Sequence, residues 1–356
     1  MAKIAIGVCG EGRGHAIRTL TLLERMPPGH EIRIFTSADA FELLSRLLPA
    51  GGPVRVTEIP GIQFQYTAGR LDVPWTIIKG FEFQIRRLGP LVNHLEAELR
   101  SFGADLVVTD FEPAVARAAA RLAIPVASVD HQHFLVAYDL GSLPRRLQWR
   151  AAFIGLAVRL YRIRARATLI SAFFRPPLRA GWRHAIQVGP LLRRAIVDAI
   201  PTEGDYLVSY LRRHTPPAAL DALAASGLPV RVYGLGAREP SRGLSFHAID
   251  ERRFVEDLAG CRGLVSAAGN QLIGEALHLG KPMLVLPERA HVEQLINSRF
   301  LARMGGGEFC PLEELSGEGV RAFVADLDRH AAAAASHRGT MDGTPAVLEA
   351  LESLLV

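Results

Sequence analysis

Cysteine is scarce: Cys9, Cys261 and Cys310 are the only three in 356 residues. An odd, scattered set without ligand spacing supports neither a disulfide framework nor a cysteine-based metal site, so free thiols in a reducing compartment are expected. Long apolar runs are missing too, and none approaches the ~18 residues that a membrane span requires. The first apolar run is short and meets charged Glu11 and Arg13 at once, unlike a secretory leader. These features predict a cytoplasmic protein. No nucleic-acid-binding motif is recognisable, and no nucleic-acid partner is expected. The 41 basic and 36 acidic residues leave a net charge of +5, which suits phosphorylated ligands or an anionic surface without selecting either.

What is present is length and alternation. A chain of 356 residues, 49% hydrophobic, exceeds the usual size of one core and predicts two domains. Short strand-like runs fall at 3–8, 31–36, 54–59, 105–109, 125–129, 168–173 and 185–188, mostly separated by helical patterns. After a proline-containing connection at 188–205 the pattern restarts, with strands at 206–210, 229–233, 244–248, 263–266 and 282–286. The expected fold class is α/β, with two doubly wound Rossmann-like domains facing a central cleft. The divisions read as 1–190, 204–340 and a closing helix at 341–356. Thr344 as N-cap and Pro345 start that helix, and its apolar stripe packs back toward the first domain.

The most informative stretch is LVSAAGNQLIGEALHLGKPMLVLPERAHVEQLINSRF, residues 264–300. A strand ends at Ser266, and the small residues Ala267, Ala268 and Gly269 permit close approach to the backbone. A helix starts near Asn270 and carries Glu275. A second strand leads to a loop and a helix bearing Glu293, Gln294 and Asn297. A helix start offers free N–H groups and partial positive charge to a pyrophosphate. A carboxylate farther along can accept from ribose hydroxyls, and an acid–amide pair can hold those of a sugar.

This ordered series resembles the donor-binding half of GT-B glycosyltransferases, in particular the group related to MurG and the UDP-glycosyltransferases. The resemblance implies a nucleotide-sugar donor, UDP-linked as in that group, held by Ser266, Ala268, Gly269, Asn270, Glu275, Glu293 and Gln294. It implies no catalytic metal and no further cofactor. The family usually has a second glycine where this chain has Ala268, whose methyl is expected to narrow the phosphate turn.

The start of the chain, KIAIGVCGEGRGHAIRTL, resembles the glycine-rich loop of the same enzymes. In UDP-glycosyltransferases the histidine of this loop is the general base, and the resemblance assigns that role to His15. Asp110, at the carboxyl end of a strand, is the expected partner that orients the ring. The alternatives are that Asp110 caps the next helix or that Glu112 serves instead. Gly12, Gly14, Asp130, His131 and His133 are expected on the acceptor side of the cleft, because open α/β sheets bind ligands at strand carboxyl ends. Asp326 and Asp328 form a DxD, but their helical context points to two exposed carboxylates and not a metal site.

Residues 144–166, PRRLQWRAAFIGLAVRLYRIRAR, place arginines around a short apolar core with Trp149 and Tyr161 at its margins. Such a helix suits an anionic membrane surface and a lipid-linked acceptor. The plainer alternative is a buried helix with snorkelling arginines. The leading functional reading is sugar transfer to an acceptor hydroxyl. A non-hydrolysing nucleotide-sugar epimerase and a non-catalytic nucleotide-sugar binder are the alternatives. A dinucleotide oxidoreductase is disfavoured: the glycine spacing is not GxGxxG, and the second strand ends in Thr36 and Ser37 without an acid.

Overall fold

The computed structural model describes the chain except Gly12, Ala50, residues 62–65, 68–69, 162–163 and 213–214, and Val356. The chain divides into two compact units. One comprises Met1–Leu140, Ala152–Leu191 and Gly343–Val356, and the other Gly141–Ala151 and Leu192–Asp342.

The first unit contains strands β1 (Lys3–Val8), β2 (Glu31–Thr36), β3 (Val54–Glu58), β6 (Leu106–Asp110), β7 (Val126–Asp130), β8 (Ala167–Ser171) and β9 (Ile186–Val188), plus a small hairpin of β4 (Tyr66–Thr67) and β5 (Arg70–Leu71). The seven longer strands form one parallel sheet in the order β3-β2-β1-β6-β7-β8-β9. Strands β6 and β7 are buried throughout, as expected of parallel strands covered on both faces. Helices α1 (Arg13–Arg25), α2 (Ala38–Leu47), α3 (Val73–Arg86), α4 (Leu88–Phe102), α5 (Pro113–Arg121) and α6 (Phe134–Ala137) accompany these strands, and α7 (Arg145–Tyr161) runs from the second unit into the first, which it joins at Ala152. One core gathers Ile4, Ile6, Leu22, Ile34 and Val108 on one side of the sheet. A second gathers Phe35, Leu95, Leu99, Phe102 and Val107.

The second unit contains α8 (Arg194–Val197), β10 (Leu207–Tyr210), α9 (Pro217–Ala224), β11 (Val230–Tyr233), β12 (Arg238–Ser241), β13 (Leu244–Phe246), α10 (Glu251–Gly260), β14 (Gly263–Ser266), α11 (Asn270–His278), β15 (Met283–Val285), α12 (Val292–Met304), β16 (Gly307–Phe309), α13 (Gly317–Ala325) and α14 (Leu327–Ala335). Its sheet runs β12-β13-β11-β10-β14-β15-β16. All pairings are parallel except β12 with β13. The last helix, α15 (Thr344–Leu355), belongs to the first unit, where Val347 and Leu351 join the core beside Ile4 and Val188. Strands β4, β5, β12 and β16 carry no pattern in the sequence. They are two to four residues long, too short for an alternation to register.

Candidate functional site

The register of β1 with β6 sets Val8 opposite Asp110, and the Cys9 N–H donates to the Asp110 carbonyl at 2.9 Å. The turn after β1 and the carboxylate ending β6 therefore leave the sheet together. Gly10 is demanded by packing: a Cβ there would lie 2.1 Å from Ser37 Oγ. At Gly14 a Cβ would meet nothing within 4 Å, so this glycine borders open space beside His15. Gly12 lies outside the described residues.

His15 is the third residue of α1 and is buried. Its Nδ1 is 2.9 Å from Asp110 Oδ1. Its Nε2 lies 3.4 Å from the Gln132 amide nitrogen. Arg18, one turn along α1 and also buried, donates to both Asp110 oxygens, from Nη2 to Oδ1 at 2.8 Å and from Nε to Oδ2 at 3.0 Å. Burial pushes Asp110 up, but Arg18 and His15 outweigh it and hold its carboxyl below the usual range. Asp110 does not cap α5. Glu112 does, accepting from the Ala114 N–H at 3.0 Å and the Val115 N–H at 2.7 Å with Pro113 in the first turn. That contact removes Glu112 as a partner for His15. Burial raises its carboxyl to about 7, against the two backbone hydrogen bonds.

The residues after β7 divide differently from the expectation. Asp130 is fully buried and bound locally. It accepts from Ser128 Oγ at 2.7 Å and from the His133 N–H at 2.9 Å, and its Oδ2 lies 2.6 Å from His133 Nδ1. Burial favours neutral forms of this pair, yet mutual attraction wins. Asp130 is held at about 2 and His133 is raised. His131 sets Nδ1 2.8 Å from the Ser171 carbonyl and packs its ring on Phe134 and Phe174. These three residues build the turn, and the residue it brings to His15 is Gln132. In the sequence Gln132 stands in the same segment, SVDHQHFL, expected on the acceptor side.

In the second unit, Ser266 ends β14 with its hydroxyl 3.2 Å from the Ala267 carbonyl. Ala268 is fully buried, and its carbonyl accepts from Asn297 Nδ2 at 3.0 Å. Gly269 is the open position, where a Cβ would meet nothing within 4 Å. It precedes α11 in extended conformation with no side-chain cap hydrogen bond, and a helix start carries partial positive charge that suits an anion. Glu275 is 2% exposed. Its Oε2 pairs with Arg193 Nη2 at 2.9 Å, and its Oε1 accepts from Gln271 Nε2 at 3.2 Å. Arg193 also pairs with Glu251. Glu293 lies in the first turn of α12. Gln294 is buried, accepts at Oε1 from the Glu288 N–H at 2.9 Å, and leaves Nε2 without a partner among the described residues.

Arg18 and Arg193 were not singled out in the sequence. Arg18 had one signal, its i,i+3 spacing from His15 on a helix. Arg193 had none, because its partners lie 58 and 82 residues away. Asp326 and Asp328 sit at a helix–helix junction and pair with Arg329 and Arg262. Glu308, Asp326 and His330 bring ligand-type atoms within 4.8 Å of one another. The Arg329 guanidinium, 2.7 Å from Asp326 and 3.2 Å from His330 Nε2, already supplies a positive charge there.

A family model for glycosyl transferase family 1 matches residues 2–328. The chain belongs to this family. The glycosyltransferase is 26% identical over 396 residues to an uncharacterized glycosyltransferase of Methanosarcina mazei, covering 98% of each chain. A Methanosarcina acetivorans relative of the same description matches equally, 26% over 393 residues and 98% of each chain. Among solved structures, LpCGTa in complex with UDP is similar with a TM-score of 0.69 at 20% identity, covering 100% of this chain and 99% of that one. MurG of Acinetobacter baumannii gives 0.63 at 15% identity, over 99% and 100%. Phytolacca americana UGT2, complexed with UDP-2fluoro-glucose and pterostilbene, gives 0.67 at 12%, over 99% and 98%. The enzyme thus has the two-domain GT-B fold, with two seven-stranded sheets.

Proposed function

We propose that this glycosyltransferase moves a sugar from a UDP-linked donor to an acceptor hydroxyl, with His15 as general base and no catalytic metal. The observation that carries the reading is the contact of His15 Nδ1 with the Asp110 carboxylate beside a turn that ends in open space at Gly14. A ring whose Nδ1–H is engaged presents an unprotonated Nε2 to an acceptor. As the acceptor oxygen attacks the anomeric carbon, its proton passes to Nε2. The bond from that carbon to the diphosphate oxygen breaks, and the leaving nucleoside diphosphate takes the electron pair. Ionised Asp110 stabilises the imidazolium.

Donor binding is assigned to the second unit. The uncapped start of α11 takes the diphosphate, and Glu275 takes the ribose hydroxyls. The unpartnered Gln294 Nε2, with Glu293, takes the sugar. Similar enzymes solved with UDP or UDP-2fluoro-glucose support the choice of uridine. A thermal-shift screen of UDP, GDP, dTDP and their sugars tests it. Uridine compounds should raise the melting temperature most, since a ligand stabilises by RT ln(1 + [L]/Kd). A shift with GDP or dTDP alone would replace the base assignment.

The acceptor is proposed to be lipid-linked and met at an anionic membrane surface. Support comes from α7, which exposes Trp149 (77%), Phe153 (59%) and Leu156 (53%) at i, i+4 and i+7. It carries Arg145, Arg146, Arg150 and Arg159 and no acidic residue. No helix among the described residues is long and apolar enough to cross a membrane.

A further inference from the structure

We infer that Arg193 is a positioning residue for the ribose subsite, one that holds the Glu275 carboxylate charged and fixed in direction. The inference rests on the proposal that Glu275 takes the ribose hydroxyls, and it names what makes that carboxylate able to do so. Glu275 lies in α11, where Ile273, Ala276 and Leu277 are fully buried and fix the roll of the helix. Its side chain is buried with them, at 2% exposure. A buried carboxylate without a counter-charge is neutralised. A neutral acid turns one oxygen into an O–H donor and accepts fewer hydrogen bonds. Arg193 is the ion-pair partner of Glu275 among the described residues, with Nη2 2.9 Å from Oε2. Gln271, one turn earlier on α11, donates to Oε1 at 3.2 Å. Each oxygen of an ionised carboxylate has about two acceptor positions. One on each oxygen is used in this way and one on each is left, which suits the two hydroxyls of a ribose.

Arg193 is itself held in place. Leu192 before it and Ile196 after it are fully buried, and α8, which it precedes, packs against α10 and α11. Its guanidinium bridges two carboxylates, with Nη1 on Glu251 in the first turn of α10 and Nη2 on Glu275. A planar fork of donors can serve two helices at once, whereas the single ammonium of a lysine cannot reproduce that spacing. The Arg193 side chain is 14% exposed, and ion pairs with so little solvent are weakly screened. The terminal torsion of a glutamate is broad and roughly two-fold, so the direction of the Glu275 oxygens is set by their partners. Without Arg193 that carboxylate loses its counter-charge and one of its two anchors. The part of a nucleoside diphosphate that senses such a loss is the pair of ribose hydroxyls.

The test is calorimetry on the full-length protein with UDP and with 2′,3′-dideoxyuridine 5′-diphosphate, which lacks both ribose hydroxyls. Wild type should bind UDP roughly 10-fold or more tighter than the dideoxy compound, the scale of charged hydrogen bonds. In Arg193→Gln this ratio should fall toward one through loss of UDP affinity, with the dideoxy compound nearly unchanged. Arg193→Lys, which keeps the charge and loses the fork, should fall between. In a Glu275→Ala background, where the ratio is already near one, Arg193→Gln should leave it there. An arginine that serves only the fold would weaken both nucleotides alike. A wild-type ratio kept in Arg193→Gln therefore overturns the inference while leaving Glu275 at the ribose if Glu275→Ala has lost that ratio. Tighter UDP binding in Arg193→Gln also overturns it, because Arg193 would then compete with the ribose. A wild type that binds both nucleotides equally overturns the ribose assignment of Glu275 and the inference with it. If the Arg193 variants do not melt cooperatively, Glu251→Gln decides. It removes the second anchor of the guanidinium and should lower the ratio part-way, and an unchanged ratio there overturns the inference.

Discussion

The buried carboxylates of this enzyme separate by what surrounds each one. Asp110 and Asp130 meet cations and stay ionised, while at Glu112 burial outweighs two backbone N–H groups and the charge of Arg117 and pushes it toward neutrality. The signs of their pH effects differ accordingly. Glu112 has a folded value near 7, above its ordinary 4.5. Its contribution to stability is fully present below pH 4.5 and lost as pH rises through 7. Glu112→Gln keeps an oxygen for the cap, so urea melts between pH 5 and 8 should show a flatter stability profile than wild type. A profile unchanged by the substitution would mean that Glu112 is ionised throughout. Asp130 acts in the opposite sense: its stabilisation holds above 3.8 and disappears as pH falls toward 2. In the second unit, Glu275→Ala should weaken UDP binding by ~1–3 kcal/mol, the scale of lost charged hydrogen bonds, read by calorimetry. Part of that loss would reflect Arg193 left with Glu251 alone. Gln294→Ala should weaken a UDP-sugar while leaving UDP nearly untouched, and an equal loss for both would assign Gln294 to the loop that it holds through Glu288.

At the scale of elements, α7 departs from the ordinary burial of a helix. Leu147, Ala151 and Val158 are buried, while Trp149, Phe153 and Leu156 face outward. The arginines therefore do not merely snorkel from a buried helix; the apolar residues themselves are exposed. Tyr161 does not extend this face, because its ring stacks on Phe111 at 4.6 Å. Anionic vesicles should bind the protein at low ionic strength and release it as salt is raised. Trp149→Ser with Phe153→Ser should abolish binding, since the remaining attraction of about 1 kcal/mol per basic residue is weak alone. No binding of wild type to phosphatidylserine vesicles at low salt would return α7 to some other use. The capping of α5 by Glu112 is an element-scale event with a consequence for the site. Because Glu112 satisfies the helix start, Asp110 is left to His15 and Arg18.

At the scale of the molecule, the proposed tasks divide between the two compact units. His15 and Asp110 lie in the first unit, Glu275 and Gln294 in the second. Substitutions in one should leave the other's function standing. His15→Ala should lower turnover about 10²–10⁴-fold, the usual worth of a general base, with UDP affinity by calorimetry unchanged. Asp110→Asn should cost less, since an amide can still orient the ring. A His15→Ala enzyme that also loses UDP binding would contradict this division.

The amino-acid sequence determined the α/β architecture, most of the parallel strands and the ordered series from Ser266 to Asn297, because these are written in local patterns of apolar runs, glycines and helix starts. It also singled out His15, through the resemblance of its glycine-rich loop to that of UDP-glycosyltransferases, and Asp110, from its place at the end of a strand. Only the tertiary structure decided how such groups are used. Asp110 and Glu112 are two residues apart and chemically alike, yet one is gripped by an arginine 92 residues away and the other caps a helix. Asp130 and His133 turned inward to build a turn, and Gln132 between them reached His15 across 117 residues. Glu275 met Arg193, from a segment that reads as a connection. Pairings of this kind depend on strand order and register. Those follow from packing of the whole chain, and a short window of sequence carries no trace of them.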